Sequence, residues 1–186
     1  MKAFKKVILV GAAALLAVGA TACSSSSSSK DSSSKKPETA KKDKDVNSNK
    51  KWSYSDHTFK TSKLTYKITK AEVQPGLEDG KNNLVLYVDV TNNSKKEHEP
   101  VDVYAYVHAT QKTSTSKVEL DPGVAHVDDQ GNNQLEQETE NMNNKLLPGK
   151  SVKGVILFEL KNNTPVTVRY EDYLFNKVGS EVYNVK

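Results

Sequence analysis

Hydrophobic and polar residues alternate over most of the segment 51–186, with the period of a half-buried β-strand. The first alternating run comprises Leu64, Tyr66 and Ile68, continued one position out of step by Ala71 and Val73. A one-residue shift within a strand is typical of a β-bulge, which we expect near residues 69–70. The Pro-Gly and Asp-Gly pairs that follow predict a turn after this strand.

Two later runs are apolar at almost every position, residues 84–90 and 152–160. A strand that is apolar on both faces is expected in the interior of a sheet. Shorter alternating runs predict further strands at 101–107, 118–120, 166–170 and 182–185. In the run 101–107, Tyr104 and Tyr106 fall on the face opposite the valines.

Between residues 127 and 145 the alternation disappears. Leu135, Met142 and Leu146 share one face at helical spacing, so a short helix near 133–142 is one interpretation and a polar surface loop is the other. Seven or eight short strands separated by turn residues predict an all-β fold, an immunoglobulin-like antiparallel β-sandwich. Because residues 51–186 contain no cysteine, its core must be held by packing alone.

The amino-terminal segment has a different pattern. Three lysines precede residues 7–22, which carry no charge and fall short of the roughly 18 residues that a spanning helix needs. This arrangement is typical of a secretory signal, and the small residues before Cys23 suit cleavage between Ala22 and Cys23. We therefore predict a signal peptide at residues 1–22.

The same stretch, ending in Ala20-Thr21-Ala22-Cys23, resembles the lipobox of bacterial lipoproteins, although Ala20 replaces the usual leucine. The resemblance implies a diacylglycerol, with its palmitate-type chains, on Cys23. It also implies an exported protein held on the outer face of the cell membrane. An ordinary signal peptide with an incidental cysteine is the alternative. Cys23 is the only cysteine and cannot form an internal disulfide, which favours lipidation.

Residues 23–50 lack the apolar residues that a folded segment needs. Of residues 24–50, ten are serine, seven are lysine and four are acidic, which predicts a disordered tether of net charge +3. A flexible coil of this length has a root-mean-square span of about 26 to 31 Å, and about 90 Å when fully extended. The predicted domain, residues 51–186, would therefore lie close to the membrane.

Charge and residue spacing exclude several functions. Residues 51–186 contain 17 basic and 19 acidic residues, a net charge of −2, so a nucleic-acid partner is not expected. The four histidines are scattered, and the loop around Asp128 lacks the end carboxylates of an EF-hand, so we predict no cofactor and no metal site. A looser ion site among the acidic residues of 128–140 is the alternative.

Three segments resemble the immunoglobulin-like (telokin-like) domains of Firmicutes lipoproteins of unknown function. They are residues 83–92 (NLVLYVDVTN), 147–160 (LPGKSVKGVILFEL) and 165–168 (PVTV). The resemblance implies an extracellular β-sandwich, a Gram-positive source and no known catalytic residues.

The favoured function is a non-catalytic module that binds an envelope protein or a cell-wall polymer. Tyr87, Tyr104 and Tyr106 are candidates for a binding face, because tyrosine offers contact area with a polar tip; cross-strand packing is their alternative role. A small-solute or ion-binding lipoprotein that serves a transporter is a second function. A wall-active enzyme is a third, but the sequence shows no nucleophile–base pair for it.

Overall fold

The computed structural model describes residues 51–185, which form nine strands and a short α-helix. The strands are β1 (Ser53–Ser55), β2 (Thr58–Lys60), β3 (Leu64–Pro75), β4 (Asn82–Asn92), β5 (Val107–Lys112), β6 (Lys117–Glu119), β7 (Ser151–Glu159), β8 (Val166–Glu171) and β9 (Lys177–Tyr183). The helix α1 spans Glu136–Asn143, and a 3-10 helix spans Pro100–Ala105.

The strands form two antiparallel sheets. One has the order β1-β2-β3-β4-β7, and the other has the order β6-β5-β8-β9. The predicted all-β sandwich is confirmed, with nine strands instead of seven or eight. The helix is also confirmed, a few residues later than predicted.

The core lies between the sheets and follows the alternation of the strands. Leu84 and Leu86 of β4 point into the main core. Val85 belongs to a second apolar cluster, with Val155 of β7 and with Leu135, which directly precedes α1. β4 is therefore buried on both faces, and it pairs with β3 and β7, as expected for an interior strand. The register of β3 against β4 shifts between Ile68 and Lys70, which confirms the predicted bulge.

The strand predicted at 101–107 is wrong, because residues 100–105 form a 3-10 helix and β5 begins only at Val107. Pro100 stands in the first turn, where its missing N–H costs no hydrogen bond. Pro100 and Val103 are the buried residues of this helix, and their spacing of three matches its period. The valine alternation there imitated a strand.

Two further differences concern the edges of the sheets. The hairpin β1–β2 was not predicted; Asp56 and His57 connect its strands with positive φ angles of 49° and 55°, as a two-residue primed turn requires. The edge strand predicted at 182–185 is β9, which begins at Lys177.

Candidate functional site

A half-open groove of about 470 Å³ lies where the domain begins. The residues that shape it come from four distant parts of the chain: Trp52, Leu64, Tyr66, Asp102, Tyr106 and Tyr173. Aromatic rings form much of its wall, and His98 and Lys63 add polar groups. Apolar walls with a few polar groups are the usual composition of a binding pocket.

Trp52 anchors this groove. Its ring lies 4.8 Å from Tyr106, 6.0 Å from Phe59 and 6.4 Å from Tyr173, measured between ring centroids. The side chain is only 8% exposed, and among the described residues its indole N–H has no hydrogen-bond partner. A buried donor without a partner is costly, so a ligand atom that accepted this hydrogen bond after a shift of the ring would gain affinity.

The groove contains a basic group, Lys63, and an acidic group, Asp102, and both act on His98. Burial lowers the pKa of His98, and the nearby Lys63 lowers it further, whereas Asp102 acts in the opposite direction. His98 is therefore neutral near pH 7 and offers one donor and one acceptor. Its main chain is fixed by two hydrogen bonds to Leu146.

Tyr66 is the most buried of the groove tyrosines, with 2% of its surface exposed. Its hydroxyl donates a 2.9 Å hydrogen bond to the carbonyl of Pro100. Burial, and next the nearby Asp102, raise the pKa of this hydroxyl well above its ordinary value, so the hydroxyl stays protonated. Tyr66 thus ties the 3-10 helix to β3 and shapes the floor of the groove.

The structure does not bring Tyr87, Tyr104 and Tyr106 onto one surface. Tyr87 lies on the outer face of β4, where burial and its contact with Glu72 raise the pKa of its hydroxyl to about 12. Tyr106 is the only one of the three that lines the groove. Whether any of them binds a partner stays a prediction.

Tyr104 has a clear structural task. Its hydroxyl accepts a hydrogen bond from the N–H of Leu157 and donates one to the carbonyl of the same residue, at 2.9 and 3.3 Å. Leu157 is in β7, the last strand of its sheet, so Tyr104 occupies main-chain groups that an edge strand would leave open.

The loop around Asp128 is a turn closed by its own hydrogen bonds. Asp128 accepts hydrogen bonds from the main-chain N–H groups of Gln130 and Asn132 and from the Asn132 side chain. These bonds, with the side chain of Asn132 as the largest influence, hold the pKa of Asp128 below its ordinary value. Within residues 51–185, no three acidic, histidine or cysteine side chains cluster as metal ligands would.

Four predictions lie outside the described residues: the signal peptide, the cleavage point between Ala22 and Cys23, the lipidation site and the tether. Within residues 51–185, no helix is long and apolar enough to cross a membrane.

Sequence reasoning missed the groove because its residues come together only in the fold. Trp52 preceded the predicted strands, and Asp102 was placed in a strand that does not exist. One local signal was present: Tyr173, Leu174 and Phe175 form a consecutive apolar run between two polar turn residues. All three side chains are substantially exposed, by 41%, 54% and 63%.

Comparison with known proteins agrees with this fold. A protein from Staphylococcus aureus, described as a "putative lipoprotein", superposes with a TM-score of 0.61 at 16% identity, covering 70% of this chain and 89% of that one. A protein from Enterococcus faecalis superposes with a TM-score of 0.58 at 16% identity, covering 72% and 93%. No curated protein matches the chain.

A protein-family match shows to which family the chain belongs. The domain of unknown function DUF5067 matches residues 38–172, most of the chain. The resemblance to Gram-positive domains of unknown function is thereby confirmed, and this chain belongs to the DUF5067 family.

Proposed function

We propose that this protein is a non-catalytic binding module of the cell envelope, anchored by a lipid on Cys23 to the outer face of the cell membrane. The lipobox-like sequence supports the anchor, as does the description of the Staphylococcus aureus protein that shares the fold. The groove supports the binding role. Its ligand is a wall polymer or a segment of another envelope protein.

The observation that carries the binding role is the buried indole N–H of Trp52 beside the aromatic wall. Its hydrogen-bonding capacity is unused among the described residues, and the rings of Tyr106 and Tyr173 lie beside it. A ligand that fits presents a flat or apolar face to the rings, and its acceptor oxygen meets the buried indole N–H once the Trp52 ring turns towards the groove. Sugar rings and peptide groups both satisfy this requirement.

Trp52 is the only tryptophan in the chain, so its fluorescence reports on the groove directly. Soluble cell-wall fragments are titrated into the lipidated full-length protein in vesicles, at low and high salt. We expect a saturable change in Trp52 emission that survives high salt. The change should require about tenfold more ligand in Asp102→Asn, because this variant replaces a carboxylate of the groove wall with a neutral amide.

The control is Tyr87→Phe, which leaves the groove unchanged and should titrate like the wild type. If neither wall fragments nor crosslinked envelope proteins alter or contact Trp52, the groove is not the binding site.

The anchor is tested separately by mass spectrometry of the processed protein and by Cys23→Ser. We expect a diacylglycerol on Cys23, and loss of the mature protein from the membrane fraction in the variant. A variant that is still processed and retained in the membrane would refute the anchor.

The volume of the groove also favours the small-solute alternative, since 470 Å³ lies within the range of about 300–1,000 Å³ typical of small-molecule sites. A stoichiometric ligand detected by native mass spectrometry would select this alternative. Hydrolysis of wall fragments that disappears in His98→Gln would instead refute the non-catalytic assignment.

A further inference from the structure

Two loops of this domain share one hydrogen-bond pattern, and only one of them is apolar. In the loop 128–132, Asp128 Oδ1 accepts from the N–H groups two and four residues later, at 2.9 and 2.8 Å. In the loop 172–176, Asp172 Oδ1 accepts from the N–H groups of Leu174 and Asn176, both at 2.9 Å. The main-chain bonds that close the two loops also correspond, within 0.1 Å in length.

The fourth residue of both loops has a positive φ angle. In the first loop this residue is Gly131, with φ of 84°, and in the second it is Phe175, with φ of 61°. The left-handed conformation suits glycine and is unfavourable for a bulky side chain. Phe175 is 63% exposed, so burial in the core explains neither its presence nor its strain.

The apolar tip (residues 173–175) lies at the end of the domain that continues into the predicted tether. Tyr173 and Trp52 both line the groove, with ring centroids 6.4 Å apart. Trp52 follows residues 24–50 directly, and these 27 residues connect it to Cys23. The tip is thus beside the point at which the anchor holds the domain.

Charge at this end suits an anionic bilayer. Residues 24–50 carry a net charge of +3 and Lys51 precedes Trp52, whereas beside the tip Arg169 and Lys177 are balanced by Glu171 and Asp172. Lysines near an anionic membrane surface contribute attraction to its headgroups. Aromatic residues and leucine are the side chains that enter the membrane interface favourably.

From these observations we infer that the apolar tip docks into the lipid bilayer surface and orients the groove beside the membrane. The inference rests on the proposed anchor, which sets which end of the domain faces the bilayer. Leu174 and Phe175 enter the boundary between headgroups and acyl chains, with Tyr173 at headgroup level. Asp172 and Asn176 hold the tip in shape, so little ordering is required on contact.

The chain offers a matched control leucine. Leu77 is 55% exposed and Leu174 is 54% exposed. Leu77 follows the carboxyl end of β3, whereas the groove contains Leu64 at its amino end, so β3 separates the two regions by roughly 36 Å. Probes at these two positions report on opposite ends of the domain.

The experiment uses the lipidated full-length protein in vesicles that contain about one-third anionic phospholipid, with Leu174→Cys or Leu77→Cys labelled by a polarity-sensitive dye. We expect a blue shift, and quenching by a lipid-attached quencher, only at position 174. Adding Phe175→Gly should reduce that quenching severalfold without lowering the melting temperature, because glycine accepts the turn conformation.

A water-exposed probe at position 174, or equal quenching at both positions, would overturn the docking. Mass spectrometry of Cys23 in the same samples tests the anchor independently. If Cys23 carries no lipid, the anchor fails alone. The probe comparison is then made with excess vesicles on Cys23→Ser chains, where entry at position 174 only still supports docking and its absence refutes it.

Discussion

The two ends of β3 have different surfaces although they carry the same kind of turn. At its amino end, the groove and the apolar tip present aromatic rings. At its carboxyl end, the corresponding turn 128–132 presents Asp129, Gln130 and Gly131, and the exposed Leu77 and Val124 stand in separate loops. A turn that serves only to connect strands uses polar residues and glycine. Aromatic residues in the same conformation therefore support the inferred contact of the apolar tip with the bilayer surface.

The largest contrast in stability is expected between Phe59→Ala and Leu77→Ala. Phe59 is fully buried and contacts Trp52, Tyr66 and Tyr170, so its truncation should cost about 3–5 kcal/mol of unfolding free energy. Leu77 is exposed, and its truncation should cost less than about 0.5 kcal/mol. Urea denaturation measures both losses. Similar losses would show that Leu77 packs against the domain instead of standing in solvent.

Gly179→Ala should give the next largest effect. An added Cβ would lie 2.5 Å from the Cβ of Tyr54, whose ring stacks on Tyr170 at 3.8 Å. Displacing that stack should cost about 1–3 kcal/mol. Thermal unfolding of the variant measures the loss, and an unchanged melting temperature would mean that Tyr54 moves freely.

Exchanging the turn residues should produce effects of opposite sign. Gly131→Ala meets no atom within 4 Å, so its expected loss of about 1 kcal/mol comes from the positive φ angle alone. Phe175→Gly relieves the same strain, partly offset by the greater freedom of unfolded glycine, and should stabilise by up to about 1 kcal/mol. Destabilisation by Phe175→Gly would show that Phe175 packs within the domain.

The smallest effect concerns acid. Burial alone would raise the pKa of Asp172, but hydrogen bonds from Asn176 and Leu174 outweigh it and hold that pKa below its ordinary value. Ionised Asp172 therefore stabilises the folded chain above an unfolded-state pKa of about 3.9, and this contribution disappears as the pH falls through the lower folded-state value.

Asp172→Asn lacks this contribution at every pH. The gap in melting temperature between wild type and variant should narrow as the pH is lowered from 7 to below 3. Asp128→Asn should show the same trend, since the pKa of Asp128 is also lowered by its turn. A gap that does not change with pH would mean that the carboxylate charge is not what holds the turn.

The sequence predicts those parts of the fold in which local pattern and burial agree. β4 and β7 are apolar on both faces and lie side by side, and the slip after Ile68 is a real bulge. The prediction fails at residues 101–105, because the alternating valines fit a strand, whereas the buried face of the 3-10 helix is formed by Pro100 and Val103, which are three residues apart.

The groove could not be predicted, because it depends on tertiary contacts. Trp52 and Tyr173 are separated by most of the domain, and only the pairing of the sheets brings them together. The apolar tip was readable in principle. Its signal was the repeated Asp-x-x-x-Asn spacing at 128–132 and 172–176, with glycine at the fourth position of one loop and phenylalanine in the other.

The most direct test of the groove and the apolar tip as contact surfaces is hydrogen–deuterium exchange. It compares the lipidated full-length protein free in detergent with the same protein bound in vesicles with wall fragments. We predict slower exchange in vesicles confined to residues 52–66, 98–106 and 172–177, with unchanged exchange at residues 75–81 and 124–135. Protection at the second group of residues instead of the first would contradict the assignment of the groove and the tip as the contacting surfaces.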